Sequence, residues 1–297
     1  MYRNIRTYYP YFWVFCGTGV SAVTIYPHTL GVSSFKEKIT NKSQLDIQVL
    51  RLVEEIKTDL KIHTKNPFNV NKVLEIVPTD KIDFLSQGFL SMRWGAVIGI
   101  PNYFSSDFSK QAKDNKDILK IMGIEGINEK KEQEILETFQ LSDAAKKYAL
   151  AKEISMLNSG KLLLFSFAAG LTVILSYITA RLFSSFTLAS ITYCAAQSCL
   201  AFLCVGIYNY YNCYWEKACD LDVASINKDL ALGGIEYYTA LLKRQEALGG
   251  KPLVANGNIF NQYMTKLLKP ALTESEKLSY LTEVVEQKYG RELKNEL

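Results

Sequence analysis

Three residues in the stretch YALAKEISML, residues 148–157, sit at spacings that could do chemistry: Lys152, Glu153 and Met156. On a helix, positions i and i+4 share one face. Imidazoles at those two positions bind zinc, and a carboxylate at i+1 then serves as general base toward the metal-bound water. Here the two positions carry an ammonium and a thioether. An ammonium has no lone pair at neutral pH, and a thioether is a poor zinc ligand. The chain has only two histidines, His28 and His63, and no H-E-x-x-H. With no G-x-S-x-G either, little is left from which to build another nucleophile and base. The six cysteines include no C-x-x-C pair, and most read as small packing residues rather than as a zinc ribbon or disulfide framework. No metal and no cofactor is expected.

The elements that position this helix divide the chain by charge. Charges are dense from 36 to 161, nearly absent from 162 to 215, and dense again afterwards. Residues 162–180 are uncharged, and at 1.5 Å per residue they reach roughly 28 Å, close to the hydrocarbon thickness of a bilayer. After Arg181 a second uncharged run, 182–215, has room for a turn near Ser184 and Ser185 and a span from about Thr187 to Tyr208. Its tyrosines and Trp215 would then lie at the water boundary. Residues 11–26, between Pro10 and Pro27, form a shorter apolar segment preceded by Arg3 and Arg6. That pattern suits an uncleaved anchor or a mitochondrial import sequence, with a cleaved signal peptide as the alternative. The expected organisation is an N-terminal anchor or targeting segment (1–27), a soluble α+β part (28–160), a transmembrane hairpin (161–215) and a helical C-terminal part (216–297) packing on 28–160. The basic residues place Arg3 and Arg6 on the side where the protein is made or, in mitochondria, in the matrix, and the soluble parts on the other. A net charge of +4 with alternating signs, and no RNA-binding motif, argues against nucleic acid as a partner.

Within the charged regions, Leu45, Val49, Leu52, Val53, Ile56 and Leu60 fall on one helical face. VLEIV (73–77) and WGAVIGI (94–100) read as strands bounded by Pro78 and Pro101, with a loop or hairpin between them. Residues 105–140 read as a lid or insertion. Ser142 is a plausible N-cap for the helix through Asn158, with Asp143 in its first turn. Residues 216–247 read as a long helix or two, broken near Gly233-Gly234. Thr273 and Glu276 form a capping box for a last helix whose apolar stripe is Leu278, Leu281, Val284, Val285 and Tyr289.

The order of strand, loop, strand, helix and hairpin resembles the HtpX-type membrane zinc proteases. Laid on this chain, that family's motif puts Lys152 and Met156 at the histidine positions and Glu153 at the base. Cys219 falls at the third ligand, followed by Asp220. The resemblance implies a degenerate metalloprotease-like α+β domain interrupted by a transmembrane helical hairpin, mainly α with a small β element, and a pseudo-protease rather than an enzyme. Lys152, Glu153 and Asp220 are expected to form a buried charge cluster in which the ammonium stands where a metal stood.

GAVIGIP (95–101), LSDAAKKYALAKE (141–153), GGIEYY (233–238) and NGNI (256–259) are similar, in the same order, to the transmembrane protein 177 family of the mitochondrial inner membrane. That resemblance implies a non-enzymatic factor in cytochrome c oxidase assembly. Its implied partners are the membrane, cytochrome c oxidase subunit II and the assembly chaperone that holds it, with the soluble part facing the intermembrane space. The strand carrying Trp94, Ala96, Ile98 and Ile100 is the candidate client-binding strand, because an open strand edge offers unpaired backbone groups. A membrane-embedded hydrolase or quality-control protease, and a transporter or channel subunit, are the alternatives.

Overall fold

A computed structural model describes the backbone of residues 2–40, 45–63, 74–90, 92–105, 119, 129–159, 161–183, 189–248 and 272–296. It describes side chains in these stretches outside 2–13, 61–63, 161–163, 180–183, 189–203 and 291–296. NGNI, most of the expected lid and the turn near Ser184 lie outside the described residues.

The chain opens with α1 (Tyr2–Ile25), followed by a 3-10 turn (Tyr26–His28), α2 (Val32–Ile39) and α3 (Ile47–His63). In α3 the residues Val49, Leu52, Val53, Ile56 and Leu60 are buried, as the helical period of the sequence requires. Three strands follow, β1 (Leu74–Thr79), β2 (Leu85–Gly88) and β3 (Ala96–Pro101), then a 3-10 turn over Asn102–Phe104. The helices α4 (Glu129–Glu137), α5 (Asp143–Asn158), α6 (Lys161–Phe183), α7 (Ala189–Ala224), α8 (Lys228–Ala247) and α9 (Glu274–Glu296) complete the described elements.

The sheet has the order β1-β3-β2, with β1 and β3 parallel and β2 antiparallel to β3. The segment between the two expected strands is thus a hairpin whose first arm joins the sheet. Gly88 and Gly95 have φ of 108° and 75°, and a Cβ on Gly88 would run into the Gly95 carbonyl, so both hairpin corners need glycine. This topology overturns the expected client strand. β3 is central, both of its edges are paired, and Ala96, Ile98 and Ile100 are 1%, 0% and 2% exposed. Only Trp94, just ahead of the strand, is open to solvent.

The core is built around α5, which is small and apolar on most of its circumference: Ala145, Tyr148, Ala149, Leu150, Ala151, Ile154 and Leu157 are buried. It packs on α3, α7 and α8, and α9 packs in turn on α8 and α7. One apolar cluster therefore joins residues from both sides of α6: Val53, Ile98, Leu150, Val223, Leu230 and Leu281 all belong to it. The expected break at Gly233-Gly234 does not occur. The chain breaks at 225–227, where Asn227 caps α8 by accepting from the Leu230 N–H at 2.7 Å. The two glycines lie inside α8 because it crosses α5 there. A Cβ on Gly233 would strike the Ala144 carbonyl, and one on Gly234 would lie 2.7 Å from the Tyr148 ring.

The expected fold class needs correction. Among the described residues, no helix is long and apolar enough to cross a membrane. Helix α7 does not end with its apolar run; it continues through Glu216, Lys217, Asp220 and Asp222 into the core. The observed class is a mainly helical protein with one three-stranded mixed sheet. Helix α6 packs on both α1 and α7: Gly17 and Gly170 leave no room for a Cβ at the α1–α6 crossing, and the tilted rings of Phe165 and Tyr208 meet with centroids 4.3 Å apart.

Candidate functional site

Lys152, the first of the residues singled out by spacing, lies where α5, α7, α8 and α9 converge. Helix α5 is held at its start by Ser142, whose hydroxyl accepts from the Ala145 N–H at 3.2 Å. Glu236 of α8 reinforces this cap, taking hydrogen bonds from both the Ser142 hydroxyl and its N–H, the latter at 2.8 Å. A carboxylate at a helix N-terminus is favoured by the helix dipole as well. Register between α5 and α8 is thus fixed at the cap and again at the glycine crossing one turn later. Thr273 and Glu276 form the reciprocal capping box that starts α9, with bonds of 2.8 and 3.3 Å.

At the convergence lies Asp220 of α7, fully buried at 0% exposure. Tyr148 of α5 donates to its Oδ1 at 2.9 Å, and Tyr238 of α8 reaches both oxygens at 3.0 and 2.9 Å. Tyr280 of α9 donates to Oδ2. The Lys152 ammonium lies 3.7 Å from Oδ1 and donates to the Tyr238 hydroxyl at 2.7 Å, so the cation also reaches the carboxylate through that phenol. Lys152 and Lys277 sit 5.2 and 5.6 Å from the centroid of the Tyr238 ring, a cation–π arrangement that lowers the cost of burying charge here.

The electrostatics agree with this geometry. Burial pushes the phenol pKa values of Tyr148, Tyr238 and Tyr280 up, and the Asp220 carboxylate pushes them further, so all three stay protonated and donate. Burial alone would lower the Lys152 ammonium, but the charge of Asp220 leads the opposing influences and the net shift is upward. Glu153 faces another way. Its carboxylate accepts from the Ser86 hydroxyl of β2 at 3.0 Å, and burial raises its pKa against the pull of Lys152 and Ser86.

The protease-type motif laid on this chain put Lys152 and Asp220 in one expected cluster, and the structure sets them 3.7 Å apart. Glu153 is a neighbour that ties α5 to β2 rather than a member of the Asp220 shell. Met156 is partly buried one turn further along α5, and Cys219 is buried beside Asp220; neither bonds to the carboxylate. The three tyrosines were not anticipated. Their signal was present in the sequence as tyrosine, rather than phenylalanine, at core-facing positions, since a buried phenol demands a polar partner. A second buried cation was also missed. Arg244 of α8, 2% exposed, stacks 3.6 Å from the Phe139 ring centroid and donates to the Thr138 hydroxyl and carbonyl at 3.1 and 3.0 Å.

Chemically, the Asp220 shell is closed. A carboxylate has about four lone-pair directions, and three phenols approach it with four contacts while the ammonium stands behind them. Among the described residues, no three of His, Cys, Asp and Glu gather as a metal site. The arrangement can hold four helices in one register; it offers no open position to a reacting atom.

No curated protein and no solved structure matches the chain. The family described as Transmembrane protein 177 matches over residues 23–259, about four-fifths of the chain, and its name places it among membrane proteins. That span contains α5, the Lys152–Asp220 pair and the crossing of α8 on α5. The chain belongs to the transmembrane protein 177 family.

Proposed function

We propose that this protein is a non-catalytic assembly factor of the mitochondrial inner membrane that holds cytochrome c oxidase subunit II together with its assembly chaperone. The observation that carries the non-catalytic part is the closed shell of Asp220. A working carboxylate must face its substrate, whereas this one spends its lone pairs on three phenols of the same chain. The partner and the location are drawn from the family. The helical unit of α5, α7, α8 and α9 is the rigid part suited to present a binding surface.

The test is affinity purification of the tagged full chain from detergent-solubilised mitochondrial membranes, with quantitative mass spectrometry and metal analysis of the same preparation. Enrichment of subunit II and its chaperone together, in near-stoichiometric amounts, is the expected result. Absence of both from a preparation that retains other inner-membrane complexes would sink the partner assignment. Stoichiometric zinc would sink the non-catalytic one.

A further inference from the structure

The cleft in front of Trp94 joins basic and apolar side chains in a way the assembly role does not use. It measures about 460 Å³ and lies between α2, β1 and the entry to β3. On its polar side are Ser33, Lys36, Glu75 and Arg93. Glu75 takes up Lys36 at 2.8 Å. Arg93 is exposed and makes no ion pair among the described residues, so the cleft carries a surplus cation. On its apolar side, Leu30 and Trp94 are 61% and 48% exposed, unusually open for large side chains lining one small cleft. Phe15 and Val23 of α1, and Tyr26 just after it, are exposed large side chains as well.

We propose that this cleft binds the headgroup of an anionic phospholipid. A guanidinium pairs with a phosphodiester through two parallel hydrogen bonds, and the Ser33 hydroxyl supplies another donor. An exposed Trp beside an exposed Arg is a pair that suits the boundary between headgroups and acyl chains. A free phosphate would use only the polar side and leave Leu30 and Trp94 bare, so the lipid is the occupant that matches both halves. The inference rests on membrane localisation and is independent of any assembly role.

Native mass spectrometry of the full chain, released from neutral detergent after incubation with phosphatidylglycerol, phosphatidylcholine or inorganic phosphate, tests it. Wild type should retain one phosphatidylglycerol at least tenfold more tightly than phosphatidylcholine. Arg93→Glu should weaken phosphatidylglycerol at least tenfold, and Trp94→Ala should weaken both lipids. Both side chains are exposed, so the variants should melt with wild type, and equal melting temperatures show that fold is not the cause. Retention of phosphatidylglycerol unchanged in Arg93→Glu overturns the proposal. So does inorganic phosphate bound as tightly as the lipid and indifferent to Trp94→Ala, which would mark a free-anion site.

Discussion

Lys152→Met is the sharpest perturbation of the buried cluster, because it keeps the stem of the side chain and removes only its charge. At 3.7 Å and an effective dielectric of 20, the direct attraction between Lys152 and Asp220 is about 4.5 kcal/mol. Part of that offsets the desolvation of the ammonium, and Asp220 keeps three phenol donors in the variant, so the net loss should be about 3 kcal/mol, at the low end for breaking a buried pair. For a chain of this size that is a fall in melting temperature of roughly 5 °C. Asp220→Asn should cost a similar amount, since it leaves Lys152 without a counter-charge. The double variant should recover at least about 1 kcal/mol relative to the sum of the singles, because each removal spares the other charge its isolation. Since the pKa of Lys152 is raised, its contribution is fully present below the ordinary lysine value and is lost only as the pH climbs beyond it. The deficit of Lys152→Met should therefore be flat from pH 6 to pH 9. Chemical denaturation of the detergent-solubilised chain, with melting curves at three pH values, measures all of this. A Lys152→Met cost below about 1 kcal/mol, or additivity of the two substitutions within about 0.5 kcal/mol, would refute the coupled-cluster reasoning.

Glu153 should behave in the opposite sense. Its raised pKa means that the folded state holds the proton more tightly than the unfolded one, so ionisation costs stability once the pH exceeds the ordinary glutamate value. Glu153→Gln keeps an acceptor for Ser86 and should melt above wild type at pH 7, with the gain shrinking by pH 4; a variant that melts lower at pH 7 would contradict this. Gly233→Ala should destabilise by about 2 kcal/mol, as the new methyl group meets the Ala144 carbonyl and overrides the helix preference for alanine. Gly290→Ala, where a Cβ meets nothing within 4 Å, should instead stabilise by up to about 1 kcal/mol, and thermal melts of the two variants side by side separate packing from propensity.

What the sequence disclosed was local. Ser142 with Asp143, and Thr273 with Glu276, announce helix starts through side chains that bond within three residues, and both caps form. The stripe of α3 and the β-branched runs of β1 and β3 are equally short-range signals. Apart from the expected membrane spans, the failures are long-range. The strand order β1-β3-β2 depends on pairings that no single strand encodes, so the strand read as an open edge turned out to be the paired centre of the sheet. Gly233-Gly234 read as a breaker because glycine lowers helix propensity, yet propensity is worth about 1 kcal/mol per residue, and the close crossing on Ala144 and Tyr148 decides the matter. Glu236 capping a helix 94 residues away has no sequence signature at all. The candidate site was half visible: the motif laid on this chain pointed to Lys152 and Asp220, while the phenols that complete the shell passed as ordinary core aromatics.

Such a cluster calls for a reason, since a buried ion pair is poor value as a stabiliser: well-packed apolar residues in its place are often neutral or better. What an apolar contact does not supply is direction. A leucine at position 220 would accept many rotations and translations of its neighbours. A carboxylate satisfied by Tyr148, Tyr238 and Tyr280 accepts one, because any slip by a helical turn strands a charge and several hydroxyls without partners. The four helices involved enter from both sides of α6, with α5 before it and α7, α8 and α9 after, and the sheet is coupled to the same point through Ser86 and Glu153. Residues on either side of the apolar run are thereby held to a single mutual arrangement at a cost in stability. Sealed inside, the polar groups of this cluster serve the mutual arrangement of the four helices.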